Sequence, residues 1–528
     1  MTPRQLSAAS IAGFLAVAVA GIALRPLLPI DETRYLAVAW EMWLSGDYLV
    51  PTRNFEIYTH KPPLLFWLVN LVWSVVGVSE TAARLVGPAA AALTLGLTGV
   101  LAHRLWPEDA GIGARATGAL AGMLTFSVYG GLTMFDALLS LTTVATMLAL
   151  VAALRSQRPV WWVVVGATIG LGALAKGPVI LIDTVPAMLA VPLWAGVHRP
   201  PEKVLAGRIA LALAVGTGVV ALWVIPAAVA GGAEYRHAIL WTQSAGRIVQ
   251  AFDHARPWWF LPALLPLILF PWVFLPALWR AAWRARWSEP GLVLAVVWGL
   301  SGLIAFSLIS GKQLHYLLPE LPAAALIVAR LARGLTFRPV VPAAVVTLLA
   351  LGAVAAWVGL IPLSDTEGLI RPAPMLPGFG LVLLGFCWLA LRAGGLAGTV
   401  LLSLGVILSA NLLIGLTSLA RVYDSRGIAG LLSPHARQGI AVYGQTYQAE
   451  FNFAARQTVR IANPESQAEL AQWIGAHPGG VILARTDRAK LPWQPRQTIN
   501  YRNTPYAIWH TDDAPQPVSA ETLSALGS

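Results

Sequence analysis

RIALALAVGTGVVALWVIPAAVA, residues 208–230, holds one ionisable side chain, Arg208 at its first position. A helix rising about 1.5 Å per residue over this run crosses the roughly 30 Å core of a bilayer, and a helix satisfies its own backbone there. A short basic connection with Arg199, Lys203 and Arg208 leads into the run, and a longer mixed segment, 231–258, follows it. Basic loops stay in the cytoplasm, so the chain is expected to run outward through 208–230.

Working outward in both directions, the same reading recurs. About thirteen spans are expected, near 7–24, 82–104, 112–131, 137–154, 160–175, 178–197, 208–230, 259–279, 291–309, 316–333, 340–361, 376–393 and 396–419. Their connections alternate. One class is short and basic (Arg155 and Arg158; Arg280, Arg284 and Arg286; Arg330, Arg333 and Arg338; Arg392), hence cytoplasmic. The other holds the longer polar segments 25–81, 231–258, 310–315, 362–375 and everything after Ala420, hence external. Trp258, Trp259, Trp272 and Trp287 sit near run ends, as an interfacial belt requires. A cleaved signal peptide competes for Ala8–Leu24, but Asp31 lies outside the cytoplasm on either reading.

Composition agrees with a membrane solvent. The chain is 57% hydrophobic and 12% charged, against about 25% charged in soluble domains. Its formal charge of +11 is spread over short clusters, which argues for topology signals and against a nucleic-acid surface. The single cysteine, Cys387, excludes a disulfide framework.

The fold class expected is therefore a mostly α polytopic membrane protein, 1–420, with a small C-terminal α/β domain, 421–528. In the outer segment 25–81, Thr33–Ser45 has helical spacing with Tyr35, Ala39 and Met42 on one face and Gly46 as its stop. It should lie along the membrane surface, and a second short helix should carry Leu64–Val76 after Pro62-Pro63. Past Ala420, strands are expected at 439–443, 458–462 and 480–484, with Asn463-Pro464 capping a helix over 465–476. No nucleotide-binding loop or triad spacing occurs in that domain, so it reads as a lid or docking module.

Chemistry is expected where polar groups gather at the outer helix ends. Asp31 and Glu32 follow the first span, and Asp136 stands where the third surfaces. A lone acid there is ordinarily a cap, but two acids converging with bases point to a site. The bases are Arg34, Arg53, Lys61, Lys176, Arg247, Arg256 and Lys312, all on the side that the positive-inside rule disfavours. Snorkelling accounts for any one of them; a bound phosphate accounts for the set.

Asp31-Glu32-Thr33-Arg34-Tyr35, Glu41-Met42, Ser45-Gly46-Asp47-Tyr48, Pro51, Asn54 and Lys61-Pro62-Pro63-Leu64-Leu65 together resemble the signature of lipid-carrier-dependent C-type glycosyltransferases. The branch they resemble most is the bacterial lipid A aminoarabinose transferases, relatives of the protein O-mannosyltransferases. Further matches follow in order: Asp136-Ala137-Leu138-Leu139, Leu174-Ala175-Lys176-Gly177-Pro178, Arg256-Pro257-Trp258-Trp259 with Pro271-Trp272, and Ser310-Gly311-Lys312 with Tyr316-Leu317-Leu318-Pro319.

The resemblance implies an inverting transfer of a sugar from a polyprenyl (undecaprenyl) phosphate to a glycolipid acceptor such as lipid A, at the periplasmic face of the bacterial inner membrane. It implies Asp31 and Asp136 as catalytic acids, with Arg34, Lys61, Lys176, Arg247 and Tyr316 holding the carrier phosphate and Glu32, Arg53, Arg256 and Lys312 in support. One departure stands out. The family usually has Glu before Lys-Pro-Pro, associated with a metal, and this chain has His60. His60 and His254 are the candidate ligands for a divalent ion such as zinc, although scattered histidines are more often plain hydrogen-bonding groups.

Two other classes compete. A lipid-linked substrate transporter carries coupling acids near the bilayer midplane, which only Asp183 and Glu320 approach. A non-catalytic assembly protein leaves the Asp31 and Lys61 pattern without a purpose.

Overall fold

Among the described residues of the computed structural model (2–239, 256–361, 375–515, 518–520 and 523), nine helices are long and apolar enough to cross a membrane. They are Pro3–Leu24, Glu80–Leu105, Phe135–Ser156, Glu202–Ala230, Pro290–Leu308, Leu314–Leu331, Val340–Trp357, Met375–Ala393 and Gly395–Leu416. Shorter apolar helices cover Leu64–Val76, Val160–Lys176 and Ile180–Leu189. The chain is a multi-pass membrane protein with fewer long helices among its described residues than the thirteen expected.

The shortfall has local causes. Residues 112–131 form two helices, Ile112–Ala121 and Leu124–Gly130. The Trp272 indole donates to the Ala119 carbonyl (2.8 Å), and the Met123 amide turns back to Leu120. Trp272 is thus a core residue, not part of a belt, whereas Trp258, Trp259 and Trp287 are exposed. Residues 178–197 break after Leu189, just before Pro192, whose ring is incompatible with the preceding helical turn. Pro271 and Pro276 likewise divide 259–279 into Phe260–Ile268, a 3-10 turn at Trp272–Phe274 and Pro276–Arg284. The span at 316–333 begins as a 3-10 segment, Leu314–Glu320, and becomes α-helical only from Leu321.

The residues cluster into two compact units. The first comprises Met1–Ala23, Thr59–Ile361 and Pro374–Leu413; the second includes Leu24–Tyr58 and Ile414–Ser528. The first is the helical bundle. Its core runs from Leu101 and Trp106 through Leu150 and Trp162 to Trp298 and Leu326. A second cluster joins Phe14, Phe126, Trp272 and Leu318.

In the second unit, the helix Asp31–Ser45 buries Tyr35, Ala39 and Met42, and Gly46 ends it in a left-handed conformation (φ 68°) with its amide bonded to Met42. A hairpin, Thr52–Arg53 paired with Glu56–Ile57, turns through Asn54 (φ 56°) and Phe55 (φ 60°). Two successive positive φ angles fit a hairpin but are unfavourable for an L residue such as Phe. Glu41 compensates: its carboxylate accepts from the amides of Asn54 (2.7 Å) and Phe55 (2.8 Å), the Thr52 hydroxyl (2.9 Å) and the Asn452 amide (3.1 Å). Burial raises the Glu41 carboxyl, and the Phe55 amide and Thr52 hydroxyl pull it back. Replacing Glu41 by Ala is expected to destabilise this unit by at least about 3 kcal/mol, since several buried donors lose their acceptor at once. Proteolysis of the second unit tests this; a wild-type cleavage rate contradicts it.

The C-terminal sheet has the order Ile440–Tyr443, Val481–Arg485, Thr504–His510, Gln497–Tyr501. The first pair is parallel and the other two are antiparallel. Residues 458–462, expected to form a strand, supply only a bridge from Ala462 to Ala441. The helix Gln467–Ala476 is capped by Ser466, whose hydroxyl accepts from the Glu469 amide (3.2 Å). Asn463 instead ties the chain to Val442, Gln445 and Tyr447.

Candidate active site

In the bundle, an acid and a base meet because two consecutive helices run back along each other. Asp136 lies in the first turn of Phe135–Ser156, where the exposed amides favour an anion. Lys176 is the last residue of Val160–Lys176, where the carbonyl end favours a cation, and Gly177 (φ 81°) stops that helix. The Lys176 ammonium donates to the Asp136 carboxylate, and both side chains are largely buried (12% and 4% exposed).

Four further groups join them. His315 Nε2 lies 4.0 Å from the other Asp136 oxygen. The Lys176 ammonium sits 4.5 Å from the centre of the Tyr316 ring. The His315 ring packs between Tyr129 (5.3 Å) and Tyr316 (5.1 Å). Lys61 lies over the Phe135 ring at 5.5 Å and within electrostatic reach of Asp136. One buried carboxylate is thus set among two lysines and a histidine, a positive surplus in a membrane protein. That arrangement suits an anionic ligand.

The second unit gathers the other acid. Asp31 opens its helix and accepts from the Arg34 guanidinium and the Tyr35 hydroxyl (3.0 Å), while its side chain stays 43% exposed. Arg34 (3.5 Å) and Arg53 (2.6 Å) both donate to the side-chain oxygen of Gln448. Burial and the adjacent Asp31 hold the Tyr35 phenol well above its ordinary value, so it remains a donor at neutral pH. Burial lowers Arg53 from its usual value. Arg34 is paired with Asp31, and Glu450 and Glu56 lie within electrostatic reach of Arg53.

Of the supporting residues, Glu32 is buried and bound to Arg25 (2.7 Å) and the Leu28 amide (3.0 Å), which makes it a lock for the turn into its helix. Lys312 is also buried and donates to the Arg256 carbonyl (2.8 Å), joining those two residues, while the Arg256 side chain faces Phe260. Arg247 and His254 lie outside the described residues. His60 is exposed, and among the described residues no three His, Cys, Asp or Glu side chains come together to hold a metal. No step below is routed through a metal.

His315, Tyr129 and Gln448 escaped the sequence reading, which has Tyr35 only as a motif and helix-face residue. His315 and Tyr35 each neighbour or belong to a motif residue, a signal that could have found them. Gln448 is brought to Arg34 by a separation of 414 residues, which no local pattern encodes.

Asp183 and Glu320 lie wholly inside the bundle. Their carboxyls face each other, and no donor from another described side chain reaches either. Gly302 makes room for Glu320, since a Cβ there would stand 2.0 Å from its Oε1. Glu320→Gln should give Asp183 a donor and leave the melting temperature unchanged or higher. A fall of several degrees would show that the pair is held in some other way.

With this geometry in hand, the comparisons with known proteins fall into place. Residues 60–226 match the model of the family described as dolichyl-phosphate-mannose-protein mannosyltransferase. ArnT from Cupriavidus metallidurans, solved bound to undecaprenyl phosphate, superposes with a TM-score of 0.74 at 18% identity, covering 97% of this chain and 98% of that one. This protein therefore has the fold of the C-type glycosyltransferases. By sequence it is related to the undecaprenyl phosphate-alpha-4-amino-4-deoxy-L-arabinose arabinosyl transferases. That of Pseudomonas paraeruginosa is 34% identical over 305 residues, 56% of this chain and 54% of that protein. That of Pectobacterium atrosepticum is 29% identical over 424 residues, 77% and 74% of the two. The chain spans about half the length of most of the curated relatives it matches.

Proposed function

We propose that this protein transfers aminoarabinose from undecaprenyl phosphate to a phosphate of lipid A, at the periplasmic face of the bacterial inner membrane. The observation that carries the reading is the buried positive surplus around Asp136, with Lys176 fixed at a helix end and Lys61 beside it. A membrane protein keeps such a surplus for an anion that arrives with its own lipid anchor. The names of its relatives, and the undecaprenyl phosphate bound in the ArnT structure, support a polyprenyl phosphate as that anion.

In this reading an acceptor oxygen attacks the sugar C1 as the C1–O bond to the carrier phosphate breaks. The phosphate departs with the electron pair, and the sugar carbon inverts. Lys61, Lys176 and Arg34, with Arg247 and Tyr316, stabilise the charge that develops on the leaving phosphate. A phosphate acceptor needs no proton removed, so Asp31 orients the nucleophile and fixes Arg34; with a hydroxyl acceptor the same carboxylate serves as base. Asp31 is exposed enough to meet a substrate. Asp136, almost fully buried, acts by positioning Lys176.

The test is mass spectrometry of envelope glycolipids with and without the gene. Loss from lipid A of one aminopentose mass is expected on deletion. Unchanged lipid A, with a deficit in another glycoconjugate, would move the acceptor or the sugar elsewhere.

A further inference from the structure

At the end of the bundle where Pro3–Leu24 begins and Val86–Leu105 and Phe135–Ser156 finish, a groove of about 700 Å³ opens between these helices and Ile112–Ala121. Arg4, His103, Arg104 and Arg155 line it, and no Asp or Glu does. Among the described residues, none of these four side chains has a hydrogen-bond or ion-pair partner. Some other basic residues of the bundle are paired, among them Arg115 with Asp109 and Arg330 with Glu289.

Helix dipoles account for part of this. His103, Arg104 and Arg155 stand in last turns, where cations are favoured. Arg4 stands in a first turn, where a cation is disfavoured, so the dipole does not explain it. The remainder of the lining is apolar or small, including Ile11, Val100 and Ala114. Gly96 deepens the groove, for a Cβ built there meets nothing within 4 Å. The volume lies in the range of small-molecule sites, enough for a headgroup and the first methylenes of its chains.

We propose that this groove is a binding site for an anionic phospholipid, its phosphate among Arg4, Arg104 and Arg155 with the His103 ring beside them, and its acyl chains along the apolar wall. Water-soluble anions lack the apolar part, and zwitterionic lipids bring an ammonium to a site that has no acid to receive it. Independent snorkelling of the three arginines to the headgroup level is the competing account. The two differ in one respect, since filling the groove without altering charge disturbs only a site.

The experiment is native mass spectrometry of the full-length protein in detergent, titrated with phosphatidylglycerol, phosphatidylcholine or inorganic phosphate. Phosphatidylglycerol should be retained in preference to both. Arg104→Gln with Arg155→Gln, and separately Gly96→Leu, should each weaken its retention by about tenfold or more, while the melting temperature without added lipid stays near wild type. Equal retention of phosphatidylcholine, protection by inorganic phosphate alone, or an unaffected Gly96→Leu variant would each overturn the proposal. The readout needs no sugar donor, so it succeeds or fails independently of the transferase reading.

Discussion

Asp31→Asn is expected to lower kcat at least about 100-fold, the scale of loss when a reacting group is misplaced or a catalytic base removed. Affinity for undecaprenyl phosphate should stay within a few-fold of wild type. The reason is geometric. Asn keeps an oxygen that can accept from Arg34 and Tyr35, so the helix start should survive, but it withdraws the charge that holds the Arg34 guanidinium. Steady-state kinetics with a binding titration separates the two effects. Wild-type turnover would remove Asp31 from the chemistry, and a comparable loss of carrier binding would recast it as a structural residue.

The second large effect concerns the buried pair. Lys176→Met leaves Asp136 charged inside the bundle with its main partner gone, a change that costs about 3–5 kcal/mol for buried pairs. Lys176→Met combined with Asp136→Leu removes both charges. It should recover most of that stability yet restore no transfer, because the ammonium proposed to stabilise the leaving phosphate is still missing. A thermal melt beside an activity assay on the same preparations checks both parts. If the double variant were active, the lysine would serve the fold alone.

Much of this architecture is legible in residue order because the bilayer imposes a coarse rule. Long apolar runs must be helices, and basic loops mark alternate ends. The helix Leu64–Val76 and the stop at Gly46 could be read because proline and glycine act locally. The broken helices could not. Whether 112–131 continues through Gly122 depends on Trp272 reaching the Ala119 carbonyl, a contact made 153 residues away. In the C-terminal sheet, the strands Gln497–Tyr501 and Thr504–His510 escaped notice because Pro505 interrupts the pattern at the turn.

The site divides in the same manner. Asp136 and Lys176 could be paired in advance, as the start of one helix and the end of its antiparallel successor. Glu32 reads as a support for the site because it adjoins Asp31, but neighbouring helical residues point about 100° apart, and it turns inward to Arg25. Glu41, part of the motif that carried the resemblance, serves the hairpin turn and is not among the candidate catalytic acids.

The central claim is that this chain by itself catalyses sugar transfer from a lipid phosphate. Purified protein in proteoliposomes, given undecaprenyl phosphate-aminoarabinose and lipid A, tests it most directly. The account predicts lipid A heavier by one aminopentose and release of free undecaprenyl phosphate in equal amount, both lost in Asp31→Asn. Intact donor and unmodified lipid A, from protein shown to bind undecaprenyl phosphate, would contradict it.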